Sequence, residues 1–179
     1  MAKPVSRLAK QLEEVIATLN RLDAPFALIG GLALAPHKVV RATQDVDLLL
    51  DAERADAVDR ALVTLGYRCL HRSADAATYL RDDERLDFLY AHRPAARQLL
   101  RSAPQLQTVF GPLHVVTAEG LIAFKLQGWV NDPRRTQDLE DIRALIRANR
   151  DTLNLVDVRD YFRLFNREAV LEEILGETH

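Results

Sequence analysis

Cysteine is nearly missing from this chain. Cys69 stands alone among 179 residues, so no internal disulfide is available and a reducing compartment is expected. No run of about 18 apolar residues free of charge occurs, which argues against a transmembrane helix. Met1-Ala2-Lys3-Pro4 is not followed by the long apolar stretch of a secretory signal. Together these absences make the cytoplasm the expected location and leave no membrane partner expected. An excess of one charge is lacking too: 24 Lys and Arg stand against 26 Asp and Glu, for a net charge of −2. Any nucleic-acid contact would therefore need a local basic patch. There is no Gly-x-Gly-x-x-Gly and no Gly-Lys-Ser/Thr, which disfavours a dinucleotide fold and a P-loop. His37, His71, His92 and His114 are scattered without ligand spacing and read as surface or packing residues, with only His37 near a glycine turn. Repeats and low-complexity segments are absent as well.

What is present is an ordinary globular composition, 48% hydrophobic and 28% charged, ample for one packed domain or one domain with a helical cap. Leu8, Leu12, Val15, Ile16, Leu19 and Leu22 recur at helical spacing over residues 6–22, with Ser6 as cap. Phe26-Ala27-Leu28-Ile29 reads as a short strand, Gly30-Gly31 as a turn, and Leu32 to Ala35 as the start of a helix that Pro36 ends. A helix over residues 52–65, capped by Asp51 and stopped by Gly66, is followed by strands at 67–70, 78–81 and 85–90. A polar loop is expected over residues 71–77, and Cys69, in an apolar run, is expected in the core. Residues 94–101 read as a short basic helix, and 106–110 and 113–116 as strand-like runs. Thr117 then caps a helix to about Val130, and three further helices are expected near 136–149, 157–165 and 167–175. The expected fold class is α+β: a mixed sheet flanked by helices in residues 1–116, with a C-terminal helical region, 117–179, packed on it as a single compact unit.

The stretch Arg41-Ala42-Thr43-Gln44-Asp45-Val46-Asp47-Leu48-Leu49-Leu50 carries the chemistry. Read as a buried strand, it puts Asp45 and Asp47 on one face, roughly 6.6 Å apart along the axis. At an effective dielectric near 20 their repulsion is about 2 kcal/mol, so they either stand in water or share a cation. Oxygen ligands of this kind suit Mg²⁺; an edge strand with one solvated face is the plainer alternative. In Arg85-Leu86-Asp87-Phe88-Leu89-Tyr90, alternation sets Arg85, Asp87 and Leu89 on one face, and makes Asp87 the expected third acid. Gly30-Gly31, between a strand and a helix start, would bring backbone N–H groups to a phosphate.

Leu28-Ile29-Gly30-Gly31, then Arg41-x-Thr43-x-Asp45-Val46-Asp47, then Asp87 on a later strand, resemble the nucleotidyltransferase superfamily with the DNA-polymerase-beta-like fold. Within it, Leu121-Ile122-Ala123-Phe124-Lys125-Leu126 followed by Asp138-Leu139-Glu140-Asp141-Ile142 is similar to the AbiEii-type toxin-like nucleotidyltransferases. The chain departs from that pattern at Ala33, where many members have Ser, at His37, where many have Gly nearby, and at Gln137, where a basic residue is common.

The resemblance implies transfer of a nucleoside monophosphate from an NTP to an acceptor hydroxyl. Asp45, Asp47 and Asp87 would be catalytic and would hold Mg²⁺, two ions in all. Gly30, Gly31, Arg41, Thr43, Lys125 and Asp138 would bind the nucleotide. Each has a plainer reading: Arg41 as a partner of Asp45 or Asp51, Lys125 as a snorkelling lysine, Asp138 and Asp141 as a solvated helix face. Arg93, Arg97, Arg101, Arg134, Arg135, Arg143, Arg147 and Arg150 either form a face for RNA, such as a tRNA end, or solvate helices; no aromatic interleaving accompanies them. The first reading is an Mg²⁺-dependent transferase acting on RNA, as the toxin of a toxin–antitoxin pair with an antitoxin partner. The alternatives are a non-catalytic nucleotide- or partner-binding member of the fold, and an aminoglycoside-type small-molecule nucleotidyltransferase.

Overall fold

The structure, a computed structural model, describes residues 6–177; Met1 to Pro4, read above for a signal sequence, lie outside them. The chain divides into two compact units, Met1–Leu32 with Ala42–Val116, and Ala33–Arg41 with Thr117–His179.

In the first unit, helix α1 (Arg7–Arg21) starts where expected. Ser6 Oγ accepts the Ala9 N–H at 3.1 Å, and Leu12, Val15 and Leu19, at helical spacing, are fully buried. Among the described residues the main sheet has five strands in the order β1-β2-β5-β4-β3. They are β1 (Phe26–Leu28), β2 (Val46–Asp51), β3 (Arg68–Arg72), β4 (Ala76–Arg81) and β5 (Glu84–Ala91). Only β2 and β5 run parallel, so the sheet is mixed, as expected of an α+β fold. Helix α2 (Ala55–Thr64) follows a 3-10 turn, and Asp51 Oδ1 accepts the Glu53 N–H at 3.0 Å. The Tyr79 hydroxyl donates to Asp59 of α2 at 2.7 Å, tying that helix to the sheet. Helix α3 (Pro94–Arg101) and a small hairpin, β6 (Gln105–Thr108) with β7 (Gly111–His114), complete the unit.

Several local expectations are corrected here. The carboxylate strand begins at Val46, not near Arg41: β1 pairs only as far as Leu28 with Leu48, and β5 only from Leu86 with Val46. Residues 41–45 thus have no ladder to join. Gly30-Gly31 do not open an α-helix; one 3-10 turn, Ala35–His37, follows, and Lys38 at φ 65° ends it. Pro36 lacks the N–H that a longer helix needs. Residues 71–77 are mostly strand, with only Ser73 to Asp75 as the turn, and Cys69 is exposed because β3 is an edge strand whose five residues are all exposed.

The second unit contains α4 (Ala118–Asn131), α5 (Thr136–Ala148), α6 (Leu155–Leu164) and α7 (Glu168–Gly176). Thr117 Oγ1 accepts the Gly120 N–H at 3.2 Å, and Asn154 caps α6. Ile142, Leu145 and Ile146 of α5 and Leu121, Ile122 and Leu126 of α4 are buried. Residues 33–41 belong with these helices: Asn149 Nδ2 donates to the His37 carbonyl at 2.9 Å, and Arg41 Nε lies 3.2 Å from Asp141. No helix among the described residues is long and apolar enough to cross a membrane.

Candidate functional site

The first unit holds the carboxylates. Where β1 ends, the Ile29 N–H donates to the Asp47 carbonyl at 3.1 Å, and the chain turns at Gly30 with φ +64°. A Cβ on Gly30 would come within 2.1 Å of Asp47 Oδ2 and 2.5 Å of its Cγ. The Asp47 carboxyl therefore rests directly over the glycine, a place open only to a residue without a side chain. Gly31 is buried.

Asp47 pairs in register with Asp87 across the parallel strands β2 and β5. Paired residues of neighbouring strands project from the same face at a strand spacing of about 4.8 Å. The opposite face carries the apolar set Val46, Leu48, Leu50, Leu86, Phe88 and Tyr90, all buried. Their burial pins the register that brings the two acids together, since a one-residue slip would exchange the faces. Thr78, opposite Asp87 on β4, donates its hydroxyl to Asp87 Oδ1 at 2.5 Å. Arg85, two residues before Asp87 and so on the same face, donates to Oδ2 at 2.6 Å through Nε and to Oδ1 at 3.3 Å through Nη2. Its hydrogen bond to Asp87 and then that carboxylate's charge hold the Arg85 pKa above its ordinary value; burial opposes them, and Asp45 and Asp47 add smaller pulls in the same direction.

Asp45 is exposed and precedes β2. Among the described residues no three His, Cys, Asp or Glu side chains stand grouped to hold a metal ion. Thus the structure brings Asp47 and Asp87 together, while Asp45 does not complete a three-ligand group in this conformation. The donor chemistry still fits Mg²⁺: the face offers carboxylate oxygens on adjoining strands. A cationic group, Arg85, already stands on one of them. Thr43, half-buried, lies in the irregular stretch leading to Asp45.

The second unit gathers the remaining candidates into a buried ionic cluster. Lys125 of α4 is 7% exposed, and Asp138 and Asp141 of α5 are 7% and 2% exposed. Lys125 Nζ donates to Asp141 Oδ2 at 2.6 Å and reaches Asp138 Oδ1 at 3.4 Å. Arg41 Nε lies 3.2 Å from Asp141 Oδ1, which also accepts from Gln137 Nε2 at 3.0 Å. Arg135 pairs with Asp138 at 2.7 Å. Gly128, one turn after Lys125, gives this cluster room, since a Cβ there would stand 2.9 Å from Asp138 Oδ2. This corrects two readings: Asp138 and Asp141 are not a solvated face, and Lys125 is paired, not snorkelling. The partner of Arg41 is Asp141, neither Asp45 nor Asp51.

From sequence, Arg85, Asp141 and Gln137 are named without a site role, and the hydroxyl of Thr78 is not singled out. Arg85 had a signal, because two residues apart on a strand is the same face. Thr78 had none before the β4–β5 register was known. Of the arginines grouped above as a basic face, several are already engaged: Arg93 with Asp75 at 3.2 Å, Arg97 with Glu53 at 3.5 Å, Arg134 with Asp132 at 2.8 Å and Arg143 with Glu140 at 2.7 Å.

Residues 11–90, which include Gly30, Gly31, Asp45, Asp47 and Asp87, match the aminoglycoside-2″-adenylyltransferase family. No curated protein matches the chain. Among solved structures, that of the antibiotic-resistance factor ANT(2″)-Ia in solution is similar with a TM-score of 0.69 at 19% identity, covering 96% of this chain and 97% of that one. The crystal structure of ANT(2″)-Ia with adenylyl-2″-tobramycin gives 0.69 at 19%, over 90% of this chain and 98% of that one. The lincosamide adenylyltransferase LnuA, lincomycin-bound, gives 0.56 at 16%, over 80% and 98%. The chain therefore has the nucleotidyltransferase fold, and its first half is similar to a family of aminoglycoside adenylyltransferases.

Proposed function

We propose that this protein is a nucleotidyltransferase that moves a nucleoside monophosphate, AMP first, from an NTP onto a hydroxyl of a small polyhydroxylated acceptor of the aminoglycoside type. The observation that carries the reading is the in-register pair Asp47 and Asp87 beside the Gly30 turn. All of it lies within the residues similar to the aminoglycoside-2″-adenylyltransferase family. In the reaction the acceptor oxygen bonds to the α-phosphorus, the bond to pyrophosphate breaks, and the hydroxyl proton passes to Asp87. Asp47, Asp87 and Asp45 would hold Mg²⁺, which supplies charge neutralisation at the phosphate oxygens. Gly30 and Gly31 would offer backbone N–H groups, and Thr43 a hydroxyl, to the phosphates.

The test is incubation with ATP, Mg²⁺ and a panel of aminoglycosides and lincosamides, read by mass spectrometry. Addition of an AMP mass to an acceptor, lost in Asp47→Asn, is the expected result, with raised resistance in a sensitive host. Labelled tRNA or RNA under the same conditions, with no modified antibiotic, would replace this acceptor by the RNA one. The observation in favour of that second reading, an AbiEii-type toxin with an antitoxin partner, is that Lys125, Asp138 and Asp141 of the late helices meet in one cluster. Against it, much of the arginine set is already neutralised by carboxylates. Mg²⁺-independent nucleotide binding without turnover would leave only the non-catalytic reading.

A further inference from the structure

The carboxylate face brings its own cation. The Arg85 guanidinium engages both oxygens of Asp87, at 2.6 and 3.3 Å. It stands half in solvent: its side chain is 50% exposed, that of Asp87 24%. The backbone beneath it is held, since Gln11 Nε2 donates to the Arg85 carbonyl at 3.0 Å, while the exposed half of the side chain borders solvent. Asp47 stands in register with Asp87, and the fields of Asp45 and Asp47 both reach the guanidinium. Two carboxylates on adjoining strands repel each other, and a forked cation on one of them offsets that repulsion before any ligand arrives.

We propose that Arg85 is the resident counter-ion of this site, and that a divalent cation binds Asp87 by displacing its guanidinium. Arg85 then sets the magnesium concentration at which the site fills. The inference rests on the reading of Asp47 and Asp87 as metal-holding residues. The physical ground is competition for the same two oxygens. The guanidinium takes two of the carboxylate's roughly four lone-pair sites and the Thr78 hydroxyl a third, and two cations on one carboxylate repel each other. Displacement is feasible because the pair is partly exposed: water receives the released guanidinium, so the barrier to filling is modest. Strand alternation makes the arrangement a property of this sequence, because any residue at position 85 would share the face of Asp87.

The experiment measures Mn²⁺ binding by the full-length protein, following free Mn²⁺ by electron paramagnetic resonance, without nucleotide or turnover. Wild type, Arg85→Gln, Asp87→Asn and the double variant are compared. Removing one part-exposed ion pair should tighten Mn²⁺ binding about three- to fivefold in Arg85→Gln. The gain should shrink as salt rises and vanish in the Asp87→Asn background. Arg85→Met replaces the Gln variant if that does not fold; both keep a long side chain that water or the apolar stem of a neighbour can accommodate. Equal or weaker Mn²⁺ binding in the Arg85 variant, with binding weakened in Asp87→Asn, overturns the role of Arg85 alone. No Mn²⁺ binding by any of the four overturns the metal reading of the carboxylates, and this inference with it.

Discussion

Gly30 and Asp47 occupy one space: a Cβ on the glycine would lie 2.1 Å from Oδ2 of the aspartate. Gly30 also has φ +64°, a conformation that costs an L-residue about 1–2 kcal/mol by itself. Gly30→Ala is expected to lower stability by at least that amount and to push the Asp47 carboxyl off its position. Nucleotide transfer should fall further than the folded fraction does. Urea unfolding beside a transfer assay checks this, and a variant with wild-type turnover would show that Asp47 need not rest there.

Asp47→Asn and Asp87→Asn should separate catalysis from folding. Loss of Asp87 as proton acceptor is expected to lower turnover by about 10²–10⁴-fold. Asp47→Asn relieves repulsion with its in-register neighbour and should leave the unfolding midpoint unchanged or raised. A large drop in that midpoint would mean that the pair is structural.

The buried cluster predicts an asymmetry. Asp141→Ala leaves Lys125 only the longer contact to Asp138 and strips Arg41 of the one carboxylate described beside it, and should cost up to about 3–5 kcal/mol, the range for removing one partner of a buried ion pair. Lys125→Met leaves Asp141 with Arg41 and Gln137, and Asp138 with Arg135, so it should cost less. Chemical denaturation of both variants is the check; equal losses would sink the idea that Asp141 is the hub.

Alkaline pH should destabilise the protein through its phenols. Burial raises the pKa of Tyr67, Tyr79 and Tyr90 above the ordinary 10.0. The unfolded chain gives up these protons first, so their contribution is complete below pH 10 and falls as pH rises beyond it. Phenolate absorbance should lag in the folded protein and jump on unfolding. Titration of all the tyrosines together near pH 10 in the folded state would contradict this.

Much of this was legible because it is local. Ser6 and Thr117 cap helices whose buried stripes are mostly apolar, and the alternation around Asp87 survives because Leu86, Phe88 and Tyr90 on the other face of β5 are buried. What stayed hidden depended on neighbours distant in sequence. The start of β2 is set by where β1 and β5 stop pairing. Cys69 lies outside because β3 has a strand on one side only. Helical spacing shows that Asp138 and Asp141 share a face, but only Lys125 on another helix and Arg41 far upstream make that face an interior one. The late-helix motif pointed toward toxin-like proteins, whereas the family similarity, confined to residues 11–90, points toward antibiotic adenylyltransferases.

The clasp between Asn149 and the His37 carbonyl bears on how the gene can be cut. Ala33 and Leu34, wholly shielded from water, are grouped with the late helices although they are synthesised long before them. A shortened product ending at Val116 would carry this orphaned limb, greasy and unhoused, into solution. Expression of the two halves as separate polypeptides should therefore work only if residues 33–41 are excised from the first and spliced onto the second.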